Sequence, residues 1–137
     1  IKTVDPYFNN EHLKSLYSIF PGKFFEKIEL VNTTSEKFYE LNPDDKFDFI
    51  YIDGDHRYEA VEKDWNYASQ SAQKFVLFDD YCEREQKDIE CSTLINKIED
   101  YEKELILMDR RIFFDDRRIK DEDIDYGQVL VDMRKKS

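Results

Sequence analysis

Glycine and proline are scarce, with three of each in 137 residues. That scarcity excludes a collagen-like chain or a Pro/Gly-rich linker, and it leaves no low-complexity boundary at which to divide the sequence. Cysteine is limited to Cys82 and Cys91, too few for a disulfide framework. A reducing, cytoplasmic setting is the expectation from such usage. The cysteines form no metal-ligand spacing with the two histidines, His12 and His56. Long apolar runs are missing: none approaches the roughly 18 residues needed to cross a bilayer, so no membrane partner is expected. No signal-peptide pattern follows Ile1. Positive charge is in deficit, with 21 Lys+Arg against 32 Asp+Glu and a net charge of −11. Nucleic-acid binding needs a basic face, and the compact basic clusters Arg110-Arg111, Arg117-Arg118 and Arg134-Lys135-Lys136 all have acids nearby. They read as solvated surface, and no nucleic-acid partner is expected.

Charged residues make up 39% of the chain, which by itself would suggest disorder, but aromatics reach 15%, with 11 Phe and 9 Tyr. Disordered chains are poor in aromatics, so the reading is a folded domain with a charged exterior. Length fits a single domain over residues 1–137. Short β-like runs alternate with helical patterns, which predicts an α/β fold with crossover helices. Strands are expected at Ile1 to Val4, Ile28 to Val31, Phe47 to Ile52, Phe75 to Phe78, Leu105 to Met108 and Val129 to Met133. Leu13, Leu16, Tyr17 and Phe20 fall on one helical face, as do Val61, Trp65, Ala68 and Ala72. A further helix is expected from Ser92 to Lys103, and a long polar excursion from Asp109 to Gly127.

Two of these strands carry the chemistry. Phe47 to Ile52 reads FDFIYI, apolar after Asp48 as if buried on both sheet faces, and runs into Asp53-Gly54-Asp55-His56. Phe75 to Phe78 runs into Asp79-Asp80. Ligands of open α/β sheets bind beyond the carboxyl ends of the strands, where these four aspartates would converge. Clustered carboxylates repel one another, and a bound hard cation such as Mg²⁺ relieves that repulsion. The plainer reading, helix caps and loop acids in an acid-rich chain, weighs equally on spacing alone.

The stretch FDFIYIDGDHRYEAVEKDW, followed by KFVLFDDY, resembles the fourth and fifth strands of class I S-adenosylmethionine-dependent methyltransferases. It is most similar to the group with an IDGDHxYE motif, related to sugar, macrolide and catechol-type O-methyltransferases. IKTVDPY resembles that family's second strand and IELVNTTSEKF its third. The resemblance implies a Rossmann-like, mostly parallel sheet with an antiparallel last strand. It implies that Asp5 meets the cofactor ribose, that Thr34 and Ser35 lie beside the adenine, and that Asp53 also borders the cofactor. It implies a divalent cation on Asp53, Asp79 and Asp80. The family's first strand and glycine-rich loop have no counterpart here, so the domain is expected to be N-terminally incomplete, with about 50 or more further residues upstream by the usual size of a βαβ unit. The acid often found after the third strand is replaced by Thr33 or Thr34.

The implied reaction is Mg²⁺-assisted O-methylation of a hydroxyl on a sugar or other small molecule. His56, with an unperturbed pKa near neutrality, is placed to accept the hydroxyl proton; hydrogen bonding to a neighbouring aspartate is the equal alternative. Asp55 fits the N-cap of the next helix. Tyr58 and Trp65, at helical spacing, fit the core better than a pocket wall. Two rivals stand beside this reading: a non-catalytic or truncated methyltransferase-fold binding module, and a metal-dependent glycosyltransferase using Asp53-Gly54-Asp55. The polar excursion from Asp109 to Gly127 is a candidate for acceptor recognition or homo-oligomer contact.

Overall fold

A computed structural model describes residues 1–19, 21–82, 90–107 and 126–136. The polar excursion falls largely outside the described residues, as does Phe20. The chain divides into two units, Ile1–Pro43 and Asp44–Ser137.

The first unit holds β1 (Lys2–Val4), α1 (Asn10–Ile19), a 3-10 segment Gly22–Lys27, β2 (Glu29–Val31) and α2 (Ser35–Leu41). β1 and β2 pair in parallel, Lys2 with Glu29 through Val4 with Val31. Pro21 precedes the 3-10 segment, and its fixed φ of −56° suits the first position before a helical turn. Thr34 caps α2, its hydroxyl accepting from the Lys37 amide at 3.3 Å, which supplies one of the donors a helix start leaves unpaired. Phe38 is the buried anchor of α2, and Lys2 sits 5.5 Å from its ring centroid.

The second unit holds β3 (Phe47–Ile52), α3 (Tyr58–Ser71), β4 (Ala72–Cys82), α4 (Cys91–Lys97), β5 (Tyr101–Leu107) and β6 (Tyr126–Lys136). The strands lie in the order β3-β4-β6-β5, with β3 and β4 parallel and β6 antiparallel to both β4 and β5. β3, β4 and β5 therefore share a direction and the last strand opposes them, as the sequence implied. Alternate residues sort the sheet's faces. Ile50 and Ile52 of β3, Val76 and Phe78 of β4, and Val129 and Val131 of β6 join Val61 and Ala68 of α3 and Leu94 and Ile95 of α4 in one core. Trp65 and Tyr58 pack against it, with the Trp65 ring 5.7 Å from Phe78 and 6.0 Å from Tyr101.

Several expectations change. β3 is not buried on both faces: it is an edge strand pairing only with β4 among the described residues, and Phe49 and Tyr51 are 50% and 45% exposed. The apolar run is accounted for by a one-sided core plus aromatic surface. β4 does not stop at Phe78 but continues through Asp79 and Asp80 to Cys82. α4 ends at Lys97 with Ile98 as its C-cap, and β5 starts at Tyr101. The apolar spacing of Leu94, Ile95 and Ile98 matches a helix, but from Tyr101 the chain pairs with β6. No helix among the described residues is long and apolar enough to cross a membrane.

Candidate metal centre at the carboxyl end of the sheet

The parallel pairing of β3 with β4 brings Ile52 beside Phe78, so the residues that follow each leave the same edge. Asp53 is the first residue beyond β3. Asp79 and Asp80 sit opposite β6, where the ladder changes step. Phe78 pairs with Val129, yet Tyr81 pairs with Gly127. An unbroken antiparallel ladder would have put Tyr81 on Tyr126. Asp79 and Asp80 thus share the single partner position of Gln128, the two-against-one arrangement of a β-bulge. Asp80 has φ of 55°, the left-handed region, and is the only non-glycine residue with positive φ among those described. Aspartate tolerates that conformation better than most residues.

The bulge separates the roles of the two acids. Asp79 accepts at Oδ2 from the Tyr51 hydroxyl at 2.6 Å and at Oδ1 from Gln128 Nε2 at 3.1 Å. Asp80 Oδ2 lies 2.5 Å from His56 Nε2. Donor atoms of Asp53, His56 and Asp80 all lie within 4.8 Å of one another. Burial, then the charges of Asp79 and Asp80, push the Asp53 carboxyl above its ordinary pKa, with His56 opposing the rise. Burial, the hydrogen bond to Asp79 and the charges of Asp79, Asp53 and Asp80 raise the Tyr51 phenol, which stays protonated and donates.

His56 is fixed from behind. The Glu90 amide donates to the His56 carbonyl at 3.0 Å, while the Glu90 carboxylate accepts from the Tyr58 amide at 2.7 Å. Asp55 is not the cap of α3. The N-cap is Arg57, which makes no side-chain cap bond, and Glu90 serves the first turn instead. Asp55 Oδ1 accepts from the Arg57 amide at 3.0 Å and its carboxylate grips the Arg57 guanidinium, which holds its pKa down to about 2. With its carboxylate turned to Arg57, Asp55 is outside the Asp53–His56–Asp80 cluster.

The expected cofactor residues of the first unit also lie at strand ends. Asp5 directly follows β1, its amide bonded to the Val31 carbonyl and its Oδ1 accepting from the Tyr7 amide at 2.7 Å. Thr34 and Ser35 open α2 just beyond β2. Both cysteines are buried and neither is in a disulfide. Burial, with a contribution from Asp80, pushes the Cys91 thiol up to about 11, so it stays protonated and unreactive.

Tyr51, Gln128 and Glu90 were not picked out from the sequence. Tyr51 lies two residues before Asp53, on the same strand face, and Gln128 is the polar residue beside Val129-Leu130-Val131. Those positions were the available signals. Glu90 stands among many acids and gave none.

Among curated proteins and among solved structures, none matches this chain. A family model described as a methyltransferase domain matches residues 1–81, from β1 through the two acids of the bulge. The chain therefore belongs to the methyltransferase domain family and is an S-adenosylmethionine-dependent methyltransferase.

Proposed function

We propose that this protein transfers the methyl group to a hydroxyl oxygen of a small molecule with the help of a divalent cation, as an O-methyltransferase of the IDGDHxYE type. The observation carrying the reading is the meeting of Asp53, His56 and Asp80 donor atoms within 4.8 Å. The carboxylates of Asp53 and Asp80 suit Mg²⁺ or Mn²⁺, and burial, then the charges of Asp79 and Asp80, raise the Asp53 pKa, a penalty on its charged form that a cation would offset. A bound cation would make the acceptor hydroxyl more acidic. Asp53 and Asp80 are the oxygen donors in this reading; Asp79, the third acid of the set implied by the resemblance, already accepts two hydrogen bonds.

With Nε2 against Asp80, His56 takes the acceptor proton at Nδ1, and Asp80 balances the imidazolium that forms. The oxygen–methyl bond forms as the sulfonium–methyl bond breaks, and the sulfonium leaves as a neutral thioether. The protein's contribution is chiefly alignment. Asp5, Thr34, Ser35 and Asp53 are proposed as cofactor contacts, supported by their positions just beyond β1, β2 and β3. The fold is proposed to be the Rossmann-like methyltransferase sheet.

The test is methyl transfer from labelled S-adenosylmethionine to a panel of sugars and catechols, in Mg²⁺ and in EDTA. Activity that needs Mg²⁺ and is lost in Asp53→Asn supports the reading. Activity unchanged in EDTA removes the cation from it. Absence of cofactor binding by calorimetry favours a non-catalytic module.

A further inference from the structure

We propose that Tyr51 and Gln128 are positioning residues, which clasp Asp79 so that the bulge presents Asp80 to His56. The proposal rests on reading Asp53, His56 and Asp80 as the reactive cluster, and it concerns residues that touch none of the reacting atoms.

The geometry is that of a two-sided clamp. In the β3–β4 ladder Tyr51 pairs with Leu77, which makes Asp79 its diagonal neighbour on the same face, within reach of a long side chain. Gln128 occupies the position on β6 that the bulge leaves opposite both acids. From these two strands come the donors for the two oxygens of Asp79, the Tyr51 hydroxyl and the Gln128 amide, and Gln128 Nε2 also lies 3.4 Å from the Tyr51 oxygen. Asp79 is thereby fixed to strands on both sides. The next residue must absorb the extra step of the chain, and it does so by entering the left-handed region at Asp80. That turn sends Asp80 to His56.

Without the clamp, Asp79 would lose the Tyr51 and Gln128 donors while still facing the charge of Asp80. A regular ladder, free of the left-handed residue, would then compete with the bulge. In a regular ladder Asp80 would lack the left-handed step that accompanies its contact with His56. The clasp therefore selects the backbone form in which the second acid reaches the histidine.

The experiment compares the full chain with Tyr51→Phe, Gln128→Leu, Asp80→Asn and Phe49→Ala. Phe49→Ala is the control: it alters an exposed aromatic of the same strand and face that has no part in the clasp. The chain has two histidines, so the ring signals of His56 are readily followed by NMR at neutral pH. Tyr51→Phe and Gln128→Leu should each move the His56 signals toward their positions in Asp80→Asn, while Phe49→Ala leaves them in place. Mn²⁺ binding, read by water-proton relaxation, should weaken about tenfold or more in the two clasp variants, the loss typical of removing groups that orient metal ligands. His56 signals unchanged in both folded clasp variants overturn the proposal, as does an equal shift in Phe49→Ala. Wild-type protein that binds no Mn²⁺ overturns the cation reading instead, and the His56 signals still decide the clasp.

Discussion

Asp80 pays with its backbone for the place of its carboxylate. A left-handed residue other than glycine carries a cost on the order of 1 kcal/mol, and its neighbours Asp53 and Asp79 add repulsion. Asp80→Gly removes both penalties along with the His56 contact. The expected result is a thermal midpoint no lower than wild type together with loss of Mn²⁺ binding; a fall of several degrees would show that the contact outweighs the strain. A second acid behaves oppositely. Arg134 bonds Asp132 through its side chain and backbone amide and lowers its pKa from 3.8 to about 2. A depressed carboxyl pKa stabilises the fold above the unfolded value, and that stabilisation is lost as pH falls through the folded one. NMR titration should find Asp132 near pH 2 in wild type and near its ordinary value in Arg134→Met. At this scale the sequence disclosed the acids and His56, because strand ends in α/β sheets are where ligands bind. It did not disclose which acid would face His56, since that depends on one extra residue in a ladder whose partner strand lies some 50 positions on.

The helices and strands are held by different means. α3 begins without a cap of its own and borrows Glu90. Removing that carboxylate in Glu90→Ala should cost about 1 kcal/mol in urea unfolding and weaken the hold on the loop carrying His56. Ile95 of α4, 1% exposed, is packed on all sides. Ile95→Ala should cost about 2–5 kcal/mol, a large share of the roughly 5–15 kcal/mol that domains possess; a smaller loss would mean that the core collapses around the gap. The apolar run located β3 to the residue, and helical spacing placed Val61, Trp65 and Ala68 in α3, but Ala72, expected on the same helical face, opens β4 instead. Periodicity failed between Ser92 and Lys103, where helical spacing runs on to Ile98 but the chain turns after Lys97. There the pairing of Glu102 to Leu107 with β6 outweighs local propensity, and pairing with a distant strand leaves no local mark.

For the molecule as a whole, a net charge of −11 sets the chain against its own compaction. Added salt screens that repulsion, with a Debye length near 8 Å at about 0.15 M. The thermal midpoint should therefore rise between low salt and 0.15 M NaCl, and a fall would show that attractive pairs such as Lys135 with Glu102 and Lys74 with Asp48 dominate instead. Family membership was legible from the residues around IDGDHRYE and FDDY, and the matching model ends within β4, one residue beyond the bulge acids. The acceptor was not legible, since no residue pattern in the sequence names it. The exposed rim of β3 has a practical outcome of another kind. FDFIYI is five strong strand formers with a single aspartate and without proline or glycine, the type of segment that seeds cross-β stacking when its edge is open. Asp48, and Lys46 just before the strand, tied to the Gln70 carbonyl, are the charges that stand guard against it. Their neutralisation should convert a dispersed protein into one that forms thioflavin-positive fibres on standing.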